Sequence, residues 1–326
     1  MEYIKISGTD VKVSRIGLGT WAIGGWMWGG TNEEESIRTI HAALDKGINL
    51  IDTAPIYGFG RSEEIVGKAV EEYGDRENII IATKVGLEWK NENIFRNSAK
   101  ERIFKEIEDS LKRLRTDYID IYQVHWPDPS VPIEETAEAM KQLMEEEKIR
   151  AIGVSNYSPK QMDKFHEVAP LYTSQPPYNL FERGIEDDVL PYCQKNSITL
   201  VTYGALCRGL LTGKMKPDTN FRGDDLRKID PKFKPPRYQQ YLDAVKKLDD
   251  FAQKNYNKRV LHLAVRWILD LLGTGVALWG ARKPEQMESV DEVMGWKLDD
   301  RAKRQIDSIL EETIKDPVGP EFMAPP

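Results

Sequence analysis

Residues 98–125 read SAKERIFKEIEDSLKRLRTDYIDIYQVH, and a change of period inside them decides the architecture. Ile103, Ile107, Ser110-Leu111 and Leu114 recur every three to four residues, with Lys105, Glu108, Lys112 and Arg115 between them. That is a helix with one buried stripe. Ser98 and Glu101 have capping-box spacing at its start. Shortly after it, Ile119 to Val124 is an apolar run too short for a core helix, so it reads as a strand with His125 at its end.

The same alternation runs outward in both directions. Strands are predicted at Ile16–Gly19, Ile48–Asp52, Ile79–Thr83, Ile119–Val124, Ala151–Val154, Tyr172–Ser174, Ile198–Tyr203 and Gly275–Trp279. Between them lie helical periods with marked starts: Thr31 with Glu34 at capping-box spacing, and Pro132 and Pro284 suited to first turns. Eight βα units closing on themselves make an α/β fold of the (β/α)8, or TIM-barrel, type; a doubly wound sheet is the competing topology. Tyr3–Ile6 and Val11–Val13, around Gly8-Thr9-Asp10, predict an N-terminal β-hairpin at the barrel floor. A charged insertion, Lys214–Pro236, follows strand seven, and Asp316–Pro326 reads as irregular. One domain spanning residues 1–326 is expected.

Composition removes other classes. The chain has 326 residues, with 46 Lys plus Arg against 53 Asp plus Glu. This acidic balance without a basic run excludes duplex nucleic acid and anionic membrane as partners. The apolar stretch Val260–Leu272 is broken by His262, Arg266 and Asp270, so no membrane span is expected. The start Met1-Glu2-Tyr3-Ile4-Lys5 lacks a basic end and apolar run, which points to the cytoplasm. Cys193 and Cys207 fit a reducing compartment and form no CxxC pair, so no metal site is predicted. Nothing in the composition demands assembly beyond a monomer or weak oligomer.

In such a barrel, chemistry gathers where the strands end. The eight ends carry Gly19-Thr20-Trp21, Asp52, Lys84, His125, Ser155-Asn156, Gln175, Tyr203-Gly204 and Gly280-Ala281-Arg282. An Asp, a Lys and a His on three consecutive core strands are partly desolvated and need partners. Asp52 and Lys84 can pair, either as a structural ion pair or as part of a site. Tyr57, five residues past Asp52, can fold its phenol over them, and the ammonium is expected to lower the phenol's pKa toward working pH. His125 can bond the same oxygen or orient a carbonyl, or be a structural group.

A proton donor beside a carbonyl needs a nucleophile, and a hydride from a nicotinamide would supply one. Ser155, Asn156 and Gln175 suit a carboxamide, Tyr203 a stacked ring, and Arg282 with Lys283 a phosphate. Each also has a bland reading as turn, loop or packed aromatic.

Taken together, these motifs resemble the aldo-keto reductases. The resemblance rests on Gly17-Leu18-Gly19-Thr20-Trp21, Asn49-Leu50-Ile51-Asp52-Thr53-Ala54 with Tyr57-Gly58, Thr83-Lys84, Gln123-Val124-His125, Ile152-Gly153-Val154-Ser155-Asn156 and Gly280-Ala281-Arg282-Lys283-Pro284-Glu285-Gln286. The segments Trp21–Gly30 and Tyr203–Lys214 are most similar to the bacterial general-stress branch. The resemblance implies an NADP(H)-dependent reductase of small-molecule carbonyls, with catalytic Asp52, Tyr57, Lys84 and His125. It places Thr20, Trp21, Asp52, Gly280 and Ala281 at the cofactor, the nicotinamide amide at Ser155, Asn156 and Gln175, and stacking at Tyr203. The pyrophosphate falls to Gly204, Ala205, Leu206, Cys207, Arg208, Gly209 and Leu210. The 2′-phosphate falls to Arg282 and Gln286, with Lys214 and Arg227 closing over. Glu288-Ser289 stands where many relatives have an Asn.

Competing readings remain. Gly17-Leu18-Gly19-Thr20-Trp21-Ala22 fits GxGxxA, but the Gly-rich residues 23–30 leave no helix opening at its last residue, against a Rossmann fingerprint. A Schiff-base aldolase using Lys84 needs a depressed amine pKa, whereas Asp52 pushes the amine upward. A nicotinamide-sensing subunit with slow turnover is the non-enzymatic alternative. Trp26, Met27, Trp28 and Trp126 either line the mouth or pack under a loop; Trp89, Trp267 and Trp296 read as packing residues. His41, His166 and His262 read as surface or core groups. Cys207, beside Arg208, is a candidate for oxidation that impairs cofactor binding.

Overall fold

Side chains alternate across a strand, so each short strand sends every second residue inward, and eight such strands fill a barrel from floor to mouth. The computed structural model describes residues 1–326. In chain order it contains β1 (Tyr3–Lys5), β2 (Lys12–Ser14), β3 (Ile16–Gly19), α1 (Trp21–Gly24), α2 (Glu33–Asp45), β4 (Leu50–Asp52), α3 (Arg61–Tyr73), β5 (Ile80–Val85), β6 (Leu87–Lys90) and β7 (Asn93–Arg96). There follow α4 (Lys100–Leu114), β8 (Ile119–Val124), α5 (Ile133–Glu145), β9 (Ile149–Ser155), α6 (Pro159–His166), β10 (Thr173–Gln175), α7 (Val189–Lys195), β11 (Thr199–Thr202), α8 (Arg237–Tyr256), α9 (Val260–Leu272), β12 (Val276–Gly280) and α10 (Asp300–Thr313).

The strands β3, β4, β5, β8, β9, β10, β11 and β12 close into a parallel barrel. This is the (β/α)8 fold, and all eight predicted strands are present. The antiparallel β1–β2 hairpin closes its floor: Ile6, Val11 and Val13 pack on the inward Leu50, Ile80, Ala82, Ile121 and Val276. Outward residues of the same strands, Ile51, Ile81 and Trp279 among them, join the core under the helices. The inward sets of β4 and β5 therefore end in Asp52 and Lys84. No helix is long and apolar enough to cross a membrane.

Two local expectations need correction, and one element was not foreseen. Asn32, not Thr31, caps α2, its side chain accepting from the Glu35 N–H. Helix α4 has Ala99 at its N-cap and no side-chain cap; the Ser98 hydroxyl is buried without a partner, and the Ser98 N–H donates to Asp128. After β5, in a segment to which the sequence assigns no element, β6 and β7 pair antiparallel into a second hairpin that stands beside the mouth.

Candidate active site

The turn after β4 carries Tyr57 back over the strand ends because two glycines let its backbone meet the α1 segment. A Cβ on Gly24 would lie 2.6 Å from the Tyr57 carbonyl, and Gly58, at φ +67°, faces Gly24 from the other side. Beneath the phenol, Lys84 Nζ donates to Asp52 Oδ1 at 2.6 Å, to the Thr53 carbonyl at 2.8 Å and to Tyr57 Oη at 3.3 Å. All three ammonium donors are thus used. Trp21 stacks on the Tyr57 ring and the His125 ring stands edge-on to it, both at 5.9 Å between centroids.

Asp52 is held on every side. Its Oδ2 accepts from Gln175 Nε2 at 2.8 Å and Gln123 Nε2 at 3.4 Å, and Gln175 also donates to Gln123 Oε1 at 3.3 Å. Its carbonyl accepts from Thr20 Oγ1, which shares the Ser62 hydroxyl with Thr53. Gln123 and Gln175 reach one another across β9 because Gly153 lies between: a Cβ there would stand 2.8 Å from Gln123 Cγ and would also collide with Thr173 Oγ1. Sequence reasoning missed Gln123; an amide inside an otherwise apolar strand was the available signal.

The titration of Tyr57 runs opposite to the expectation from sequence. Burial, reinforced by the Asp52 carboxylate, pushes the phenol well above its ordinary value, so it keeps its proton. Lys84 is lowered by burial, against the upward pull of Asp52, so the expectation that pairing alone sets its direction is also corrected. Its nitrogen is nevertheless enclosed and triply bonded, leaving no free amine for a Schiff base. His125 lies well below the ordinary histidine value through burial and the nearby Lys84 charge, and is a neutral imidazole.

Two cavities meet at Tyr57. The larger, about 680 Å³, is a cleft lined by Thr20, Trp21, Asp52, Tyr203, Gly204, Ala205, Leu206, Gly209, Lys214, Gly280, Ala281, Arg282 and Gln286, all named from sequence. The smaller, about 250 Å³, is lined by Tyr57, His125, Ser155, Asn156, Gln175 and Tyr203 on its polar side and otherwise by apolar groups, Trp26, Met27 and Trp126 included. Trp28 lines the cleft instead.

Several candidates have less freedom than the sequence suggested. Both Gln175 amide N–H contacts go to Asp52 and Gln123, leaving its oxygen. Asn156 donates to Ser155 Oγ and the His125 carbonyl and accepts from Tyr203 Oη at 2.9 Å. Arg208 borders the cleft but is buried against Glu182 and Asp230, with Lys232 on the same Glu182, so its guanidinium is structural. Cys207 and Leu210 are wholly buried. Burial lifts the Cys207 thiol to about 12, which corrects its reading as an oxidation site. Arg227 also borders the cleft, its guanidinium on Asp225 at 2.5 and 2.8 Å.

His262, read as a surface or core group, is buried yet lines the cleft and meets Ser289 Oγ at 3.1 Å. His41 bonds the Ala69 carbonyl and His166 is exposed. Trp267 is buried, Trp296 packs on Tyr256, and Trp89 packs on Phe59 beside the mouth. The segment Gly17–Gly19 lies within barrel strand β3, which removes the Rossmann reading.

The cleft suits a dinucleotide. Gly280 leaves open backbone along it, Arg282 offers a guanidinium with one bond to the Trp28 carbonyl, and the buried indole N–H groups of Trp21 and Trp28 have no acceptor. Asp224 accepts from the N–H of Met27 at 2.6 Å and Gly29 at 3.1 Å, joining the insertion to the Trp26–Gly30 loop. The tail was expected to be merely irregular; residues 322–326 roof the smaller cavity.

A parallel barrel with this strand-end set has the form of an oxidoreductase of carbonyl compounds. A model of the aldo/keto reductase family matches residues 15–311, and the chain belongs to that family. It is 64% identical over 326 residues to aldo-keto reductase YhdN of Bacillus subtilis (strain 168), covering 100% of this chain and 98% of that protein. It is 36% identical over 302 residues to the NADH-specific methylglyoxal reductase of Escherichia coli (strain K12), covering 88% and 91% respectively. The solved structure of the glycerol dehydrogenase AKR11B4 from Gluconobacter oxydans superimposes with a TM-score of 0.90 at 55% identity, over 99% of each chain.

Proposed function

We propose that this chain, as one domain spanning residues 1–326, reduces aldehydes or ketones with NADPH, and that Tyr57 delivers the proton. The observation that carries the reading is the ammonium of Lys84, 3.3 Å from Tyr57 Oη while fixed on Asp52 at 2.6 Å. A reduced nicotinamide, when bound, supplies the hydride that a carbonyl carbon accepts. Tyr57 holds its proton at rest through burial and Asp52. The adjacent ammonium then stabilises the negative charge left on Oη as the proton passes to the carbonyl oxygen. Asp52, clamped by Gln123 and Gln175, keeps that ammonium in place. Neutral His125 completes the wall that orients the carbonyl.

Thr20, Trp21, Gly204, Ala205, Leu206, Gly209, Gly280 and Ala281 would hold the dinucleotide. Ser155, Asn156 and the Gln175 oxygen would meet its amide, and Tyr203 its ring. Arg282, Gln286 and Lys214 would face the 2′-phosphate. A second reading, NADH as cofactor, draws on Glu285, Glu288 and Glu292 along the far end of the same cleft, and on the relative described as NADH-specific.

The test is a spectrophotometric screen of NADPH and NADH against aldehydes, α-dicarbonyls and sugars. Multiple turnovers support the reductase; a single slow turnover with retained nucleotide supports the sensing subunit. In the same assay Arg282→Ala is expected to weaken NADPH about 10- to 100-fold, as loss of hydrogen bonds to a charged group does, and NADH little. Equal losses for the two return the NADH reading.

A further inference from the structure

The phenol of Tyr57 and the ammonium of Lys84 belong to different segments, and their contact depends on how those segments are held in register. Helix α3 begins at Gly60 without a side-chain cap, and its first N–H groups have no partner inside the helix. They take the carbonyls of the preceding turn instead: the Arg61 N–H donates to Gly58 at 3.2 Å and the Ser62 N–H to Tyr57 at 3.0 Å. The backbone of Tyr57 thus hangs on the first turn of α3. The Ser62 side chain is wholly buried, lines neither cavity, and reaches Thr20 and Thr53 just past the ends of β3 and β4.

Three buried hydroxyls meet there, and the order in which they use their protons is fixed. Thr20 Oγ1 donates to the Asp52 carbonyl at 2.8 Å, an atom that can only accept. Its single proton is then used, so in the 2.8 Å contact between Thr20 Oγ1 and Ser62 Oγ the serine is the donor. The same serine proton also faces the Thr20 carbonyl at 3.1 Å. Thr53 Oγ1 in turn donates to Ser62 Oγ at 2.9 Å. The donations therefore run one way, from Thr53 to Ser62 to Thr20 to the Asp52 carbonyl, in a space closed to water where aligned bonds reinforce one another.

Both acceptors that anchor Lys84 stand on the stretch this relay pins, the Asp52 carboxylate at 2.6 Å and the Thr53 carbonyl at 2.8 Å. Glu63, next to Ser62, accepts from Thr83 Oγ1 at 2.6 Å, so the same helical turn also grips the strand of Lys84. Of the ammonium's contacts, the one to Tyr57 Oη is the longest, at 3.3 Å, and a small shift breaks it first.

Resting on the carbonyl-reductase reading above, we infer that Ser62 is a positioning residue: with its N–H on Tyr57 and its hydroxyl between Thr53 and Thr20, it sets the distance from the phenol to the Lys84 ammonium. In the proposed step hydride passes from the reduced nicotinamide to the carbonyl carbon, the Tyr57 O–H bond breaks, its proton goes to the carbonyl oxygen, and the ammonium meets the charge left on Oη. Without the Ser62 hydroxyl, Thr53 Oγ1 has no acceptor and the Asp52-Thr53 stretch is free to drift against the turn. Misplacement by about 1 Å costs on the order of 100-fold in such a step, and a fraction of that is expected to cost about tenfold.

The experiment has a geometric arm and a kinetic arm, both on the full chain. In crystal structures of the wild type and Ser62→Ala, the Lys84 Nζ to Tyr57 Oη distance is expected to lengthen beyond about 3.5 Å in the variant while Lys84 stays on Asp52. With NADPH and the aldehyde turned over fastest in the screen above, kcat of Ser62→Ala should fall about tenfold with both KM values within about twofold of wild type. The solvent deuterium isotope effect on kcat should rise, because proton delivery becomes the slower event; a merely structural role would lower the urea midpoint and leave that isotope effect unmoved. Thr53→Val keeps the shape and removes the donor to Ser62, so it should show the same loss, and the double variant should be no slower than the slower single one.

If Ser62→Ala fails to fold, Thr53→Val carries both arms. A kcat within about twofold of wild type, a fall without a rise in the isotope effect, losses that multiply in the double variant, or an unmoved phenol contact each overturn the inference. A wild type that turns over no carbonyl sinks the reductase reading instead, and the crystallographic distance then decides alone whether Ser62 holds Tyr57 against Lys84.

Discussion

Two buried ionic assemblies stand near the mouth of the barrel, and they differ in what is left unpaired. Around Arg208, Glu182 accepts from Arg208, from Lys232 at 2.7 Å and from Asn179 at 2.7 Å, while Asp230 accepts from Arg208 at 2.6 Å and from the Lys232 N–H. Lys232 also reaches the Gly319 carbonyl at 3.0 Å. Every charge meets its opposite, and the cluster binds the loop after β11, the insertion and the tail into one piece. Around Lys84 the charges pair as tightly, but the third contact is a phenol that keeps its proton, and that phenol faces both cavities. Saturation makes the first assembly a rivet. In the proposed reaction, the phenol's proton makes the second a reaction centre.

The contrast can be broken most forcefully at Tyr57. Tyr57→Phe keeps the ring against Trp21 and removes the proton, so kcat is expected to fall by about 10²- to 10⁴-fold with nucleotide affinity retained in a fluorescence titration. Near-normal turnover would return the Lys84 cluster to the structural class. In the saturated cluster, Glu182→Leu leaves two cations facing one carboxylate; urea unfolding should show a loss of about 3–5 kcal/mol. A loss below about 1 kcal/mol would mean the cluster is not the rivet described.

A finer test lies at Gln123, the more weakly bonded of the two amides on Asp52. Gln123→Leu should lower kcat about tenfold and leave KM for the carbonyl nearly unchanged, in line with the ~1–3 kcal/mol attached to a buried hydrogen-bonding group. The gentlest concerns His125. Its folded pKa is depressed, so above about pH 6.5 neither state binds the proton. As pH falls below that, the unfolded chain takes up a proton that the folded ring refuses, and stability is lost by at most about 1.4 kcal/mol per pH unit. Urea midpoints compared at pH 7.5 and at about pH 5.5 should show this limb in the wild type and a flatter one in His125→Gln.

The barrel was legible because its strands are short apolar runs and its helices carry 3.6-residue stripes, signals that survive without tertiary information. Asp52, Lys84 and His125 were legible for a related reason: a charged or titratable residue closing a core strand has no bland surface to occupy. What sequence could not supply was direction and competition. The sign of the Tyr57 shift depends on how completely the turn buries it, and that closure comes from Gly24 and Gly58 meeting across two segments. Arg208 resembles a phosphate ligand until Glu182 and Asp230, 26 and 22 residues away, claim it. The β6–β7 hairpin escaped because two four-residue strands, LEWK and NIFR, are too short to carry a periodic signal, and only the folded mouth reveals that Arg96 holds Pro325 of the tail.

Gly153 touches neither cavity, yet its missing methyl is what lets two carboxamides on non-adjacent strands share one carboxylate. Alanine there would collide with Thr173 and press on Gln123 from the side away from solvent. A single hydrogen atom at the middle of β9 therefore stands in the chain of support beneath Asp52. The proposed reaction centre is therefore expected to be disturbed from a position that lines neither cavity.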